Sequence, residues 1–111
     1  MASRVRITLR ALEDLKNIGR YTERQWGRSQ RNIYLRELDN RFLWLARNPR
    51  LGRPRDDIAP GYRSFAHEAH IVFYLISDGG IEIIGVPHQA MDIPSHFASH
   101  DGEAKPPKSG G

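Results

Sequence analysis

The spacing of apolar positions changes along this chain, and each change marks an element. Val5-Arg6-Ile7-Thr8-Leu9 alternates apolar and polar residues and includes β-branched side chains, which predicts a half-buried strand over 5–9. From Leu12 the period turns helical, with Leu12, Leu15, Ile18, Tyr21 and Trp26 recurring on one stripe and Gly27 supplying a stop. Ser29 is positioned to cap a second helix, whose stripe runs Ile33, Leu38, Phe42, Leu45, with Tyr34 and Trp44 on its flanks. Asn48-Pro49 ends that helix, because a residue before proline disfavours the α region. Two helices joined at Gly27-Arg28 form an antiparallel hairpin, and neither apolar stripe can stay in water, so both must cover a sheet.

The remainder reads as β structure. Leu51 to Gly61 is a loop broken by Gly52, Pro54, Pro60 and Gly61. A short strand is expected over 62–65, an apolar β-rich run over 71–76 and another over 81–86, with Asp78-Gly79-Gly80 as the hairpin turn between the last two. A single helical turn is expected at 92–97, and the polar, Pro/Gly-ended segment 99–111 reads as a disordered tail. The pattern predicts one α+β domain over 1–98: an N-terminal strand, then an antiparallel helix hairpin packed on a small antiparallel sheet, in the order β-α-α-β-β-β.

Composition narrows the chemistry. At 111 residues the chain is a single domain with one core. Cysteine is absent, which excludes disulfides, thiolate metal sites and thiol nucleophiles. No apolar run approaches the ~18 residues a membrane span needs, and no signal-peptide core is present, so a cytoplasmic protein is expected. Residues 1–48 carry 11 Lys/Arg against 5 Asp/Glu and residues 49–111 carry 6 against 8, giving the net +4. A basic front half suits an acidic partner, either nucleic acid or an acidic protein segment, or is simply a solvated helix face. His67, Glu68 and His70 have a spacing that could hold zinc on a helix, but the segment reads as a strand turn, so neither a metal nor any cofactor is expected.

The segments LGRPRDDIAPGYRSF, HIVFYLI and GIEIIGVPHQAMD, in that order, carry a family resemblance. Together with the helix hairpin they make residues 5–97 resemble the ParE branch of the ParE/RelE toxins of bacterial type II toxin–antitoxin systems. The resemblance implies an inhibitor that acts by binding DNA gyrase and trapping its cleaved DNA complex, not an enzyme. Target-binding candidates are then Tyr62, Arg63, His88, Gln89 and Met91, an aromatic, a charge and soft contacts near strand ends. It also implies a ParD-like antitoxin as partner in a hetero-oligomer. For that antitoxin the rim candidates are Arg20, Arg24, Arg31 and Arg41, and the apolar anchors Tyr21, Tyr34 and Trp44.

Structural roles stand beside these. Arg63 is placed to pair with Glu82 across strands, and His88 to bond Asp92 or a backbone carbonyl. Asp92 is placed to cap the last turn. Trp26 reads better as core than as a docking residue. The enzymatic alternative is a RelE-like ribosome-dependent messenger RNA endoribonuclease, for which Arg63 and His88 would be the catalytic pair, with Arg53 and Arg55 reaching the same rim. Against it, Gly85 stands where such toxins commonly carry a basic residue, and Phe97 offers no titratable group. The chain also has Val86-Pro87-His88-Gln89-Ala90-Met91-Asp92 where members often run Val-Leu-His-Gln-Arg-Met-Asp. Pro87 removes a ladder donor and so belongs at a strand end, and Ala90 removes a positive charge. A plain nucleic-acid-binding module is the weakest reading.

Overall fold

A computed structural model of the chain describes residues 3–104, with side chains up to residue 98. Strand β1 (Arg4–Ile7) leads into helix α1 (Leu9–Trp26) and helix α2 (Arg28–Arg47). Strands β2 (Arg53–Pro54), β3 (Arg63–His67), β4 (His70–Ser77) and β5 (Gly80–Gly85) follow, and helix α3 (Ile93–Ala104) closes the described chain. The expected α+β order therefore holds, with two additions, β2 and a full α3.

The strand order is β1-β5-β4-β3-β2, with β4 at the centre. The sheet is mixed rather than antiparallel, because β1 pairs parallel to β5 while the other neighbours are antiparallel. The chain between β1 and β5, which runs through α1, α2 and β2–β4, supplies the long connection that a parallel pair requires. Gly80 permits this pairing, since a Cβ there would lie 1.9 Å from the Arg4 carbonyl oxygen.

Thr8 corrects the first boundary. Its hydroxyl accepts a hydrogen bond from the Ala11 N–H at 3.1 Å and donates one to the Ile84 carbonyl at 3.1 Å, so it caps α1 while tying the helix start to β5. The strand stops before Leu9, which begins the helix and is 85% exposed. At the hairpin Gly27 adopts φ 94°, a conformation that favours glycine, and serves both as C-cap of α1 and N-cap of α2. It displaces Ser29 from the expected capping role, since α2 starts at Arg28 with no side-chain cap.

Apolar residues pack on both faces of the sheet. Leu38, Phe42 and Leu45 of α2 and Ala11 and Ile18 of α1 cover Val72, Tyr74, Ile81 and Ile83. On the other face Phe73 and Ile84 pack against Phe97 of α3, with Ile58 and Tyr62 at the edge. The near-continuous apolar run of β4 follows from this double cover. Each large side chain so buried contributes about 1.5–3 kcal/mol. Tyr74 is a polar anchor within the core: its hydroxyl donates to the Pro49 carbonyl at 2.7 Å and accepts the Gly52 N–H at 2.8 Å.

Helix α3 is longer than the single turn expected. Asp92 precedes it, with its carbonyl accepting the His96 N–H at 3.0 Å and its carboxylate the Ser95 hydroxyl at 2.8 Å. Pro94 suits an early helical position. The helix continues through Ser99, where the tail was expected to begin, to Ala104, and residues 105–111 lie outside the described residues. Among the described residues no helix is long and apolar enough to cross a membrane.

Candidate functional site

Where the α1–α2 hairpin overhangs one end of the sheet, two clefts open side by side. The first, of about 580 Å³, lies between Tyr21, Trp26, Gln30 and Tyr34 of the hairpin and Glu68, His70 and His88 of the sheet end. The second, of about 450 Å³, continues past His88 to Met91 and His96 and shares Tyr21, His70 and His88 with the first. They form one groove. Its floor is built by β4 and the segment after β5: Ile71 N–H donates to Pro87 O at 3.0 Å and Gln89 N–H to Ala69 O at 2.8 Å, which sets His70 beside His88. Pro87 lies just past the end of β5, as its missing donor requires.

The floor is polar. The Tyr34 hydroxyl lies 2.8 Å from His70 Nδ1. Burial, reinforced by the carboxylates of Glu68 and Glu37, pushes the Tyr34 phenol up to about 12, so it remains the donor. Burial, with His88 and His67 nearby, pushes His70 down to about 4, so it accepts on Nδ1 and keeps its proton on Nε2. The rings of His70 and His88 meet edge-on, with centroids 5.3 Å apart. His88 accepts the Ala90 N–H on Nδ1 at 3.0 Å, a local turn contact in place of the expected bond to Asp92 or a carbonyl. Glu68 sits at the β3–β4 turn with φ 55°. Among the described residues no three His, Cys, Asp or Glu side chains are grouped to hold a metal.

Asp14 organises the groove from beneath and is absent from the candidates drawn from sequence. Its buried carboxylate accepts the Val86 N–H at 2.8 Å and lies 3.2 Å from His96 Nε2, which joins α1, the end of β5 and α3. The signal for it was its place on the buried side of α1 with Ala11 and Ile18, where a carboxylate must have partners.

The sequence candidates divide by position. Tyr21, Tyr34, His88 and Met91 line the groove, and Gln89 is exposed next to His88. Trp26, expected in the core, is 70% exposed and stands at the rim of the groove. Tyr62 and Arg63 lie elsewhere. Tyr62 packs edge-on against Phe97 at 5.6 Å. Arg63 donates to the carbonyls of Gly52 and Arg50, not to Glu82, which sits on β5 opposite Leu75. On the hairpin, Arg20 bonds Asn17 at 2.8 Å, Arg31 pairs with Glu23 at 2.6 Å and Arg24 is exposed. Arg41 stacks 4.6 Å from the Trp44 ring, which packs on Phe65 at 5.2 Å.

Arg63 and His88 do not converge. Arg63 pairs in register with Tyr74 and His88 bridges to His70, on opposite sides of β4. Four register positions separate them, about 13 Å along the strand at ~3.3 Å per residue. Of the two positions singled out near the C-terminus, Phe97 is buried, and Gly85 is the surface its ring closes on, since a Cβ there would sit 2.9 Å from that ring.

Residues 5–93 match the profile of the family described as the ParE toxin of the type II toxin–antitoxin system, parDE. The chain belongs to the ParE toxin family. Its similarity to Toxin ParE1 of Mycobacterium tuberculosis is 39% identity over 94 residues, covering 84% of this chain and 96% of that protein. Toxin ParE1 of Caulobacter vibrioides is 38% identical over 92 residues, covering 83% and 95%. Toxin ParE of Escherichia coli is 30% identical over 93 residues, covering 83% and 90%. Among solved structures, a chain of the chromosomal ParDE system from P. aeruginosa superposes with a TM-score of 0.67 at 21% identity, over 79% of this chain and 96% of that one, a match of fold. This ParE chain is thus the toxin component of a ParDE-type toxin–antitoxin pair.

Proposed function

We propose that this ParE-family chain inhibits DNA gyrase by binding it and trapping its cleaved DNA complex, and that a ParD-like antitoxin neutralises it. The observation that carries the reading is the groove, a recessed surface with exposed aromatic and soft apolar anchors, Tyr21, Trp26 and Met91. Such side chains dominate binding energies at protein interfaces. A nuclease would need a base tuned near neutrality beside a cation for the phosphorane-like transition state. His70 titrates far below that range, and the one histidine–arginine pair singled out for catalysis is split across β4. Both features favour an inhibitor over a ribonuclease, and a gyrase partner would place the action in the cytoplasm.

Candidates for the target (His88, Met91) and for the antitoxin (Tyr21, Tyr34) line the same groove. Neutralisation then needs only occupancy: an antitoxin segment seated in the groove excludes the target, and toxin and antitoxin form a hetero-oligomer. The test is a titration of purified full chain against gyrase supercoiling. Trp26→Ala and Met91→Ala, both surface changes, are expected to raise the half-inhibitory concentration about tenfold, the ~1.4 kcal/mol of a modest anchor. Supercoiling undisturbed by the unaltered chain would overturn the reading.

A further inference from the structure

We infer that the groove between Tyr21, Trp26 and Glu68 is a receptor for a cationic side chain, an arginine or lysine presented by a peptide segment of a protein partner. The inference rests on the groove being the docking surface and adds the chemistry of what docks there. Charge is the first observation. The chain carries 17 Lys/Arg and a net +4, yet among the described residues no lysine or arginine lines either cleft of the groove. Carboxylates do. Glu68 and Glu13 are exposed at its two ends, and Asp14 lies below, engaged by the Val86 N–H and His96. The imidazole of His70 adds no positive charge at neutral pH, because burial holds it in the neutral form.

The aromatic faces are the second observation. A guanidinium or ammonium is attracted to the face of Trp or Tyr, and arginine also stacks in plane. Elsewhere this fold meets that demand internally: Arg41 lies over Trp44 at 4.6 Å and over Phe65 at 5.0 Å, and Arg55 over Phe73 at 5.3 Å. Tyr21 and Trp26 are 55% and 70% exposed and, among the described residues, have no cation of the chain stacked on them. An exposed aromatic pair beside an exposed carboxylate, in a recess that among the described residues no lysine or arginine lines, is complementary to an incoming cation. The same recess repels a phosphodiester, which would meet Glu68 and Glu13 and no arginine. The acidic partner suited to the basic helices and the cationic residue suited to the groove are therefore different parts of what binds this protein.

The 111-residue chain has two tryptophans, so its two indole N–H signals in an NMR spectrum, assigned with Trp44→Phe, report Trp26 separately. The probes are N-acetyl-argininamide and N-acetyl-citrullinamide, of nearly the same shape but charged and neutral. The arginine probe is expected to shift the Trp26 signal saturably at millimolar concentration, with the citrulline probe about fivefold weaker and the Trp44 signal unmoved. Glu68→Gln and Tyr21→Ala, both at exposed positions, are each expected to weaken the arginine response about threefold or more. Equal responses to the two probes, or no saturable shift with arginine, would overturn the inference. Neither gyrase nor antitoxin is in the sample, so this outcome is independent of whether the toxin inhibits gyrase.

Discussion

At Gly85 a hydrogen atom in place of a side chain lets the C-terminal helix close on the sheet. A Cβ there would meet the Phe97 ring at 2.9 and 3.1 Å and the Asp14 carboxylate at 3.3 Å. Gly85→Ala is expected to destabilise the fold by about 1–3 kcal/mol through overpacking, read as a lower denaturant midpoint. Phe97→Leu in the same chain is expected to restore part of that loss, as coupled neighbours do. The pair also explains a departure visible in the sequence, because a basic side chain at position 85 cannot share the space with Phe97. Burial lowers His70 to about 4 from its ordinary value of 6.5. Its unfolded form therefore binds a proton before its folded form does, so its contribution to stability is complete above about 6.5 and is lost as pH falls toward about 4. Urea midpoints measured across that window should fall with pH, and His70→Gln should flatten the decline between pH 6.5 and 5. Below that, carboxylates contribute too, among them Asp57, which the Arg55 side chain holds below its ordinary range. A midpoint independent of pH between 6.5 and 5 would contradict the buried, neutral imidazole.

At the scale of elements, most of the fold was legible because periodicity and breakers agree: helical spacing up to Trp26, Gly27 as the stop, and Asp78-Gly79 between two apolar runs. What escaped has identifiable causes. Val5-Arg6-Ile7-Thr8-Leu9 alternates so regularly that a cap is hidden inside a strand pattern, and only the bond from the Ala11 N–H to the Thr8 hydroxyl reveals it. Thr8→Ala removes the cap and the tie to Ile84, and is expected to cost about 0.5–2 kcal/mol, measurable by chemical denaturation. An unchanged midpoint would mean the helix start is held by β1–β5 pairing alone. The parallel pairing of β1 could not be read from pattern, because alternation gives a strand's faces and not its direction; Gly80 was the local clue, a residue without a side chain where the Arg4 carbonyl approaches. β2 escaped because two residues are too short to show any period. Of helix α3 only the first turn was expected, and its continuation escaped because the polar stretch lacks an apolar stripe, with only Ile93 and Phe97 hinting at a packed side.

At the scale of the molecule, the site was legible in its parts but not in its grouping. His88, Met91, Tyr21 and Tyr34 stood out as residue types, yet only the helix hairpin together with the pairing of the segment after β5 to β4 brings them to one groove. Tyr62 and Arg63 looked like their neighbours in sequence and sit at a different end of the sheet, tied to Phe97 and to the Gly52 carbonyl. Asp14 was passed over and Trp26 was misplaced for opposite reasons, a charge that is buried and an aromatic that is not. The proposed inhibitor reading rests on this exposed aromatic groove, in which burial keeps His70 neutral. The most direct test divides one preparation of purified, antitoxin-free chain between two assays, gyrase supercoiling with accumulation of cleaved plasmid, and message integrity on translating ribosomes. Cleaved plasmid with intact message is the expected result; cut message with gyrase fully active would contradict the account.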